Sequence, residues 1–259
     1  MKQKLETKMF TYVKKHYKGF ILLLACAFVY AIFIFAKATY SNADFGKTFG
    51  KKAIVARSKI KSMEASFRLC ATLCNVKPLF MQSIIFPEVM RYNVLKDGIE
   101  TESLRALYVQ FGEEYANFSI GIFQMKPSFT QQVETKAKQL LPDSIFKELQ
   151  LAYKNTDEEN VRSERVERLQ DDNYQMIYLT AFILICNDQY KNKKFDSEIE
   201  KLQHYATIYN AGFDKSEEYL SKKIKEANFY LETGMPEKKF CYAAIACFFF
   251  NKKSSLSNL

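Results

Sequence analysis

The chain has no Trp, two His, eight Gly and five Pro in 259 residues. So few Gly and Pro leave too little turn material for a fold of many short strands, and they favour helices. His16 and His204 are the only histidines, and there is no C-x-x-C pair. A zinc site therefore lacks a ligand set, and neither metal nor cofactor is expected. What is present is apolar: 48% hydrophobic and 15% aromatic residues supply a core for one sizeable domain plus extras.

The net charge of +9 invites a nucleic-acid reading, but its distribution opposes one. Residues 1–38 hold seven Lys and one Glu, so +6, which leaves +3 for the rest of the chain. A basic flank on a near-neutral domain lacks the Lys/Arg-covered face that phosphate neutralisation requires. No nucleic-acid partner is expected.

That flank leads into Gly19 to Ala36, GFILLLACAFVYAIFIFA, 18 residues without a charge. Such a run spans a bilayer core as a helix. Lys14, Lys15 and Lys18 before it should stay cytoplasmic and send residues 39–259 outward. Ala36-Lys37-Ala38 has the A-x-A form of a signal-peptide cleavage site, whereas the apolar run is long for a signal. Retained anchor and cleaved signal both stand, and both imply export to the periplasm or cell envelope. A lipoprotein reading of Leu23-Leu24-Ala25-Cys26 is weaker, because apolar residues rather than a polar tether follow the cysteine.

Past this segment there are five cysteines: Cys70, Cys74, Cys186, Cys241 and Cys247. An odd number leaves at least one unpaired in a monomer. Disulfides are open to them in an oxidising envelope, and so is a role as small buried apolar residues.

The pattern along the chain gives three parts: 1–38, basic flank plus signal peptide or membrane anchor; 39–57, a polar tether; and 58–259, an all-α domain of seven to nine helices. Ile60, Met63, Phe67 and Cys74 recur at helical spacing. Pro78 suits the first turn of the next helix, which should run to Phe86 and be closed by Pro87 and Glu88. Ser103 to Phe111 reads as a short helix. Lys154 to Asn173 is a charge run that reads as a solvated helix or excursion. Tyr174 to Tyr190 and Phe240 to Phe250 are apolar but short for a membrane, and read as core helices.

Three stretches carry chemistry. Glu88 lies within Ile84-Ile85-Phe86-Pro87-Glu88-Val89-Met90, a carboxylate in an apolar setting. A carboxylic acid that stays protonated near neutral pH can act as a proton donor, and desolvation supplies one. Next comes Ser119-Ile120-Gly121-Ile122-Phe123-Gln124-Met125-Lys126-Pro127, where Gly permits a close approach to the backbone and Gln offers a donor and an acceptor. Third is Ala206-Thr207-Ile208-Tyr209-Asn210-Ala211-Gly212.

These strips, in this order and with their flanking helices, resemble the lysozyme-like domain of bacterial lytic transglycosylases, over residues 59–230. The resemblance implies that Glu88 is the general acid and then the general base. Gln124 and Met125 would line the glycan groove, Ser119 and Gly121 would shape it, and Tyr209 would orient the Glu88 carboxyl, supported by Asn210. It also implies peptidoglycan glycan strands as substrate, a 1,6-anhydro product and no second carboxylate. Proteins of this kind also serve secretion or conjugation machinery, which the anchor would fit.

Val89 stands where the family often has Ser, Pro87 directly before the acid is unusual, and both gaps between strips are long. The first gap holds Glu100, Glu102, Glu113 and Glu114, any of which would permit plain hydrolysis if it reached the site. A muramidase on the same fold is therefore the nearest alternative. An inactive, membrane-anchored glycan-binding scaffold is the alternative from another class.

Overall fold

A computed structural model of the chain describes residues 45–231 and 239–256. The apolar run 19–36, with His16 and Cys26, lies outside them. Two compact units are distinguished, Met1–Thr48 and Phe49–Leu259; of the first, only the opening turn of a helix is described.

The described residues form eleven helices and one two-stranded hairpin, so the protein is mainly helical, as expected, with more helices than anticipated. In chain order the helices are α1 (Phe45–Ser62), α2 (Glu64–Leu73), α3 (Pro78–Arg91), α4 (Val94–Phe111), α5 (Pro127–Leu140), α6 (Asp143–Glu148), α7 (Glu158–Gln170), α8 (Asp172–Gln189), α9 (Glu198–Ala211), α10 (Glu217–Lys223) and α11 (Tyr242–Leu256). The strands β1 (Phe229–Tyr230) and β2 (Lys239–Phe240) pair antiparallel before α11.

Side chains mark the helix starts. Asp157, Asp171, Ser197 and Ser216 each accept a hydrogen bond from a backbone N–H in the first turn of α7, α8, α9 and α10. Pro78 opens α3, where its missing N–H has no partner to lose.

The centre of the bundle is α3, packed against α2, α9 and α11. Every residue from Phe80 to Met90 is buried. Phe86 stacks on Phe249 of α11 at 4.2 Å, and Phe80 meets Tyr205 of α9 edge-on at 5.7 Å. Each such ring contributes about 1.5–3 kcal/mol by leaving water. This burial explains the first correction. Pro87 does not end the helix; α3 runs through it to Arg91. The ring costs the bond to the Ser83 carbonyl, and helices on three sides offset that loss. The Ile84 carbonyl, one residue on, accepts the Tyr242 hydroxyl at 2.9 Å.

Three further expectations change. The tether read over 39–57 is helical from Phe45, with a kink at Gly50 (φ 40°); beyond the kink Ala53, Ala56 and Ile60 are buried, and their spacing of three and four puts them on one face. The short helix at Ser103 begins earlier, at Val94. The charge run is only partly solvated: Arg165, Val166, Arg168 and Leu169 of α7 turn inward. Arg165 pairs with Glu134 of α5 at 2.7 Å and donates to Tyr108, and Arg168 donates to the Leu151 and Ala152 carbonyls. Buried charges persist when paired and hydrogen-bonded like this.

The apolar helices α8 and α11 are core elements, as their length suggested. No single described helix is long and apolar enough to cross a membrane. One bent pair, Glu64–Leu73 with Pro78–Arg91, passes by length and composition only, and much of it is buried in the bundle. All five described cysteines are free thiols, and burial pushes Cys74 and Cys247 up to about 12. Cys74, Cys186 and Cys247 are buried and act as small core residues, while Cys70 and Cys241 are half-buried.

Candidate functional site

Four elements meet at one cleft of about 270 Å³: the last turn of α3, the strip after Ala116, the first turns of α5 and the end of α9. Its lining includes Glu88, Ser119, Gln124, Met125, Tyr209 and Asn210, which is every candidate residue except Gly121. Arg91, Asn117, Lys126, Ser128 and Gln132 join them.

Glu88 reaches the cleft from the buried side of α3 and is 5% exposed. Burial raises its carboxyl to about 7, against the opposing charges of Arg91 and Lys126 and with help from Asp97. Desolvation outweighs both cations because the carboxyl is enclosed, while Lys126 is exposed and its charge is screened by water. Arg91 Nη2 lies 2.8 Å from Glu88 Oε2, one turn away on the same helix, and donates to Ser119 Oγ at 3.2 Å. The guanidinium also covers the Phe229 ring, 5.3 Å from its centroid.

The Gly/Gln strip is a closed turn. Ile120 and Met125 exchange both backbone hydrogen bonds, at 2.9 and 3.1 Å. Gln124 takes a left-handed conformation (φ 52°), and Gly121 has φ 68°. The turn is held from behind by Gln175 of α8, which is fully buried. Its Oε1 accepts the Phe123 N–H at 2.6 Å and its Nε2 donates to the Leu169 carbonyl. Gly121 therefore serves a different end from the one expected. A Cβ there would overlap Gln175 Nε2 and come within 2.6 Å of the Leu169 carbonyl, so the glycine admits α8 rather than sugar.

Gln124 is also more committed than expected. Its Nε2 donates to Asp97 Oδ2 at 3.1 Å and to the Gly121 carbonyl at 3.0 Å. Both amide protons are then used, and Oε1 is the part left to meet a substrate N–H. Asp97, buried behind it, also accepts the Asn93 N–H at 2.7 Å.

Tyr209 does not donate to Glu88. Its hydroxyl donates to the Phe123 carbonyl at 2.9 Å, tying α9 to the turn, while its ring lies edge-on to Phe129 and Phe182. Burial holds that hydroxyl far above its usual range, and the nearby Glu88 charge adds to this. The same holds for Tyr242, whose hydroxyl also feels Glu88. Asn210 stays at the cleft because α9 ends directly after it: Gly212, at φ 92°, closes the helix by donating to Ile208 O at 2.7 Å.

Comparisons with protein-family models, curated proteins and solved structures find no match for this chain. The geometry itself must carry any reading.

Sequence reasoning missed Arg91, Asp97, Gln175 and Tyr242. Arg91 was detectable, three residues after Glu88 and hence on its face of a helix. Gln175 stood out as an amide opening an apolar run. Asp97 and Tyr242 carried no local signal. The acids Glu100, Glu102, Glu113 and Glu114 do not line the cleft; Glu113 and Glu114 border a separate cavity beside Arg165. Among the described residues there is no cluster of His, Cys, Asp and Glu able to hold a metal.

Proposed function

We propose that the chain is a peptidoglycan lytic transglycosylase that cleaves the bond between N-acetylmuramic acid and N-acetylglucosamine. One observation carries this reading: Glu88 is the single carboxylate among the described residues lining the cleft, and its enclosure holds it at about 7. Around it, Asn117, Ser119, Gln124, Ser128, Gln132 and Asn210 offer amide and hydroxyl groups suited to N-acetyl sugars. The protonated Glu88 gives its proton to the glycosidic oxygen as the bond to C1 breaks. The substrate's own N-acetyl oxygen stabilises C1. The 6-hydroxyl then attacks C1 and returns its proton to Glu88, which leaves a 1,6-anhydro end and consumes no water.

Export by residues 19–36, whether retained as an anchor or cleaved, would place this activity at the cell envelope. There it would open the wall for secretion or conjugation machinery. Asp97 favours a muramidase as second reading, because it is a further carboxylate whose charge acts on Glu88, and it lies behind Gln124. The Arg91–Glu88 contact favours a non-catalytic glycan binder, since a paired carboxylate delivers no proton.

Digestion of purified sacculi by the full chain and by Glu88→Gln, with released muropeptides weighed, separates the three. Products one water lighter than hydrolysis products, lost with the variant, support the transglycosylase. Hydrated reducing ends mean a muramidase. Binding to sacculi without release by either protein sinks the enzyme reading.

A further inference from the structure

Arg91 is only partly satisfied by what surrounds it. Its Nε is buried without a hydrogen-bond partner, and Glu88 Oε2, 2.8 Å from Nη2, accepts no hydrogen bond of good geometry either. The two charges touch without forming the forked pair that guanidinium and carboxylate prefer. The Arg91 side chain is 25% exposed and lines the cleft.

The charge balance of the cleft sharpens this. The formally charged groups among its described lining residues are Glu88, Arg91 and Lys126. A glycosidic acid must be protonated to react. In that state the cleft holds two cations and no anion, and Arg91 is a largely buried charge without a counter-ion. Such a charge is costly to keep. An anion brought by the substrate would relieve it and would release Glu88 from the cation that opposes its protonation.

We infer that Arg91 binds a carboxylate on the substrate's sugar, so that the cleft selects glycan whose muramic acid carries a free lactyl carboxylate over glycan in which that carboxylate is amidated to a stem peptide. This rests on the reading of Glu88 as the glycosidic acid. A space of about 270 Å³ suits a sugar and its short ether substituent. Ser119, hydrogen-bonded to Nη2, keeps the guanidinium at the cleft wall.

The test compares two glycans: intact sacculus strands, and the same strands stripped of stem peptides by an amidase. The full chain should cleave stripped strands about tenfold faster or more in kcat/KM, the effect of one charge-assisted contact. Arg91→Gln should bring the two substrates within about twofold of each other. Arg91→Lys, which keeps the charge but loses the fork, should fall between.

A pH profile separates this role from a structural one. The charged and titratable groups facing Glu88 are Arg91, Lys126, Asp97, Tyr209 and Tyr242. Removing the nearest cation should move the alkaline limit of cleavage to higher pH, whereas a merely loosened fold would lower rates at every pH alike. Equal cleavage of both glycans by the unaltered chain overturns the inference, and so does a preference that survives Arg91→Gln. Failure to cleave either glycan defeats the enzyme reading instead. In that case the relative affinity of the full chain for the two glycans decides: tighter binding of stripped strands, lost in Arg91→Gln, upholds the carboxylate site, and equal affinity rejects it.

Discussion

Gly121 and Gln175 occupy adjoining space with no room for a methyl group between them: a Cβ on the glycine would overlap the amide nitrogen of Gln175. Gly121→Ala should therefore destabilise the protein by more than about 2 kcal/mol, through overpacking and through its positive φ. Truncating Gln175 as well should not restore stability. The Leu169 carbonyl would still lie 2.6 Å from the new methyl, and the Phe123 N–H would lose its acceptor. Chemical denaturation of the two single variants and the double variant checks this. Full rescue by Gln175→Ala would show that the turn yields more easily than its hydrogen bonds imply.

Tyr209 reaches the cleft through the backbone of the same turn. Tyr209→Phe keeps the ring against Phe129 and Phe182 but leaves the Phe123 carbonyl without its hydroxyl donor. The expected loss is roughly 1–2 kcal/mol of stability, the cost of one buried acceptor left unmade. Sugar affinity should fall too, because Gln124 and Met125 follow Phe123 directly. If instead the pH dependence of cleavage moved while stability did not, Tyr209 would be acting on Glu88 itself.

The three strips were legible because each is contiguous and chemically distinctive. The apolar helices around them were legible by length and hydrophobicity. Legibility ended where a residue's role is set from across the chain. Tyr242 answers Ile84 over 158 residues, and Gln175 answers Phe123 over 52. Local rules also lost to packing. Pro87 signals a helix end, yet α3 continues because its neighbours enclose every residue there. In α7 the inward positions are filled partly by Arg165 and Arg168, so a charge count hid a face with ordinary helical spacing.

Arg165 and Glu134 make that face a test of its own. The pair is 2.7 Å apart and nearly enclosed, with Tyr108, Tyr153 and Tyr178 bonded to one partner or the other. Arg165→Met should cost about 3–5 kcal/mol, because the Glu134 carboxylate stays behind without its cation. Arg165→Met with Glu134→Leu should recover only part of that loss, since the uncompensated charge is gone but the hydroxyls of Tyr108, Tyr153 and Tyr178 lose these partners. Thermal melts of the single and double variants read this directly. Similar melting points for wild type and Arg165→Met would mean that water reaches the pair.

Glu88 leaves a mark on stability that does not depend on any substrate. Its carboxyl is raised from 4.5 to about 7 by burial. Between those values the folded chain keeps a proton that the unfolded chain releases, so stability present at low pH is lost as pH rises through 7. His204 works in the opposite direction. Burial, helped by the Lys193 charge, lowers its imidazole below 6.5, so its contribution grows as pH rises through that range. The wild-type curve sums both, and the difference from Glu88→Gln isolates Glu88. That difference should turn in the variant's favour between pH 5 and pH 8 by up to roughly 3 kcal/mol, and change little above that. A difference that stays constant over the whole range would show that Glu88 titrates as an ordinary exposed carboxylate, and would remove the physical basis for its role as an acid at neutral pH.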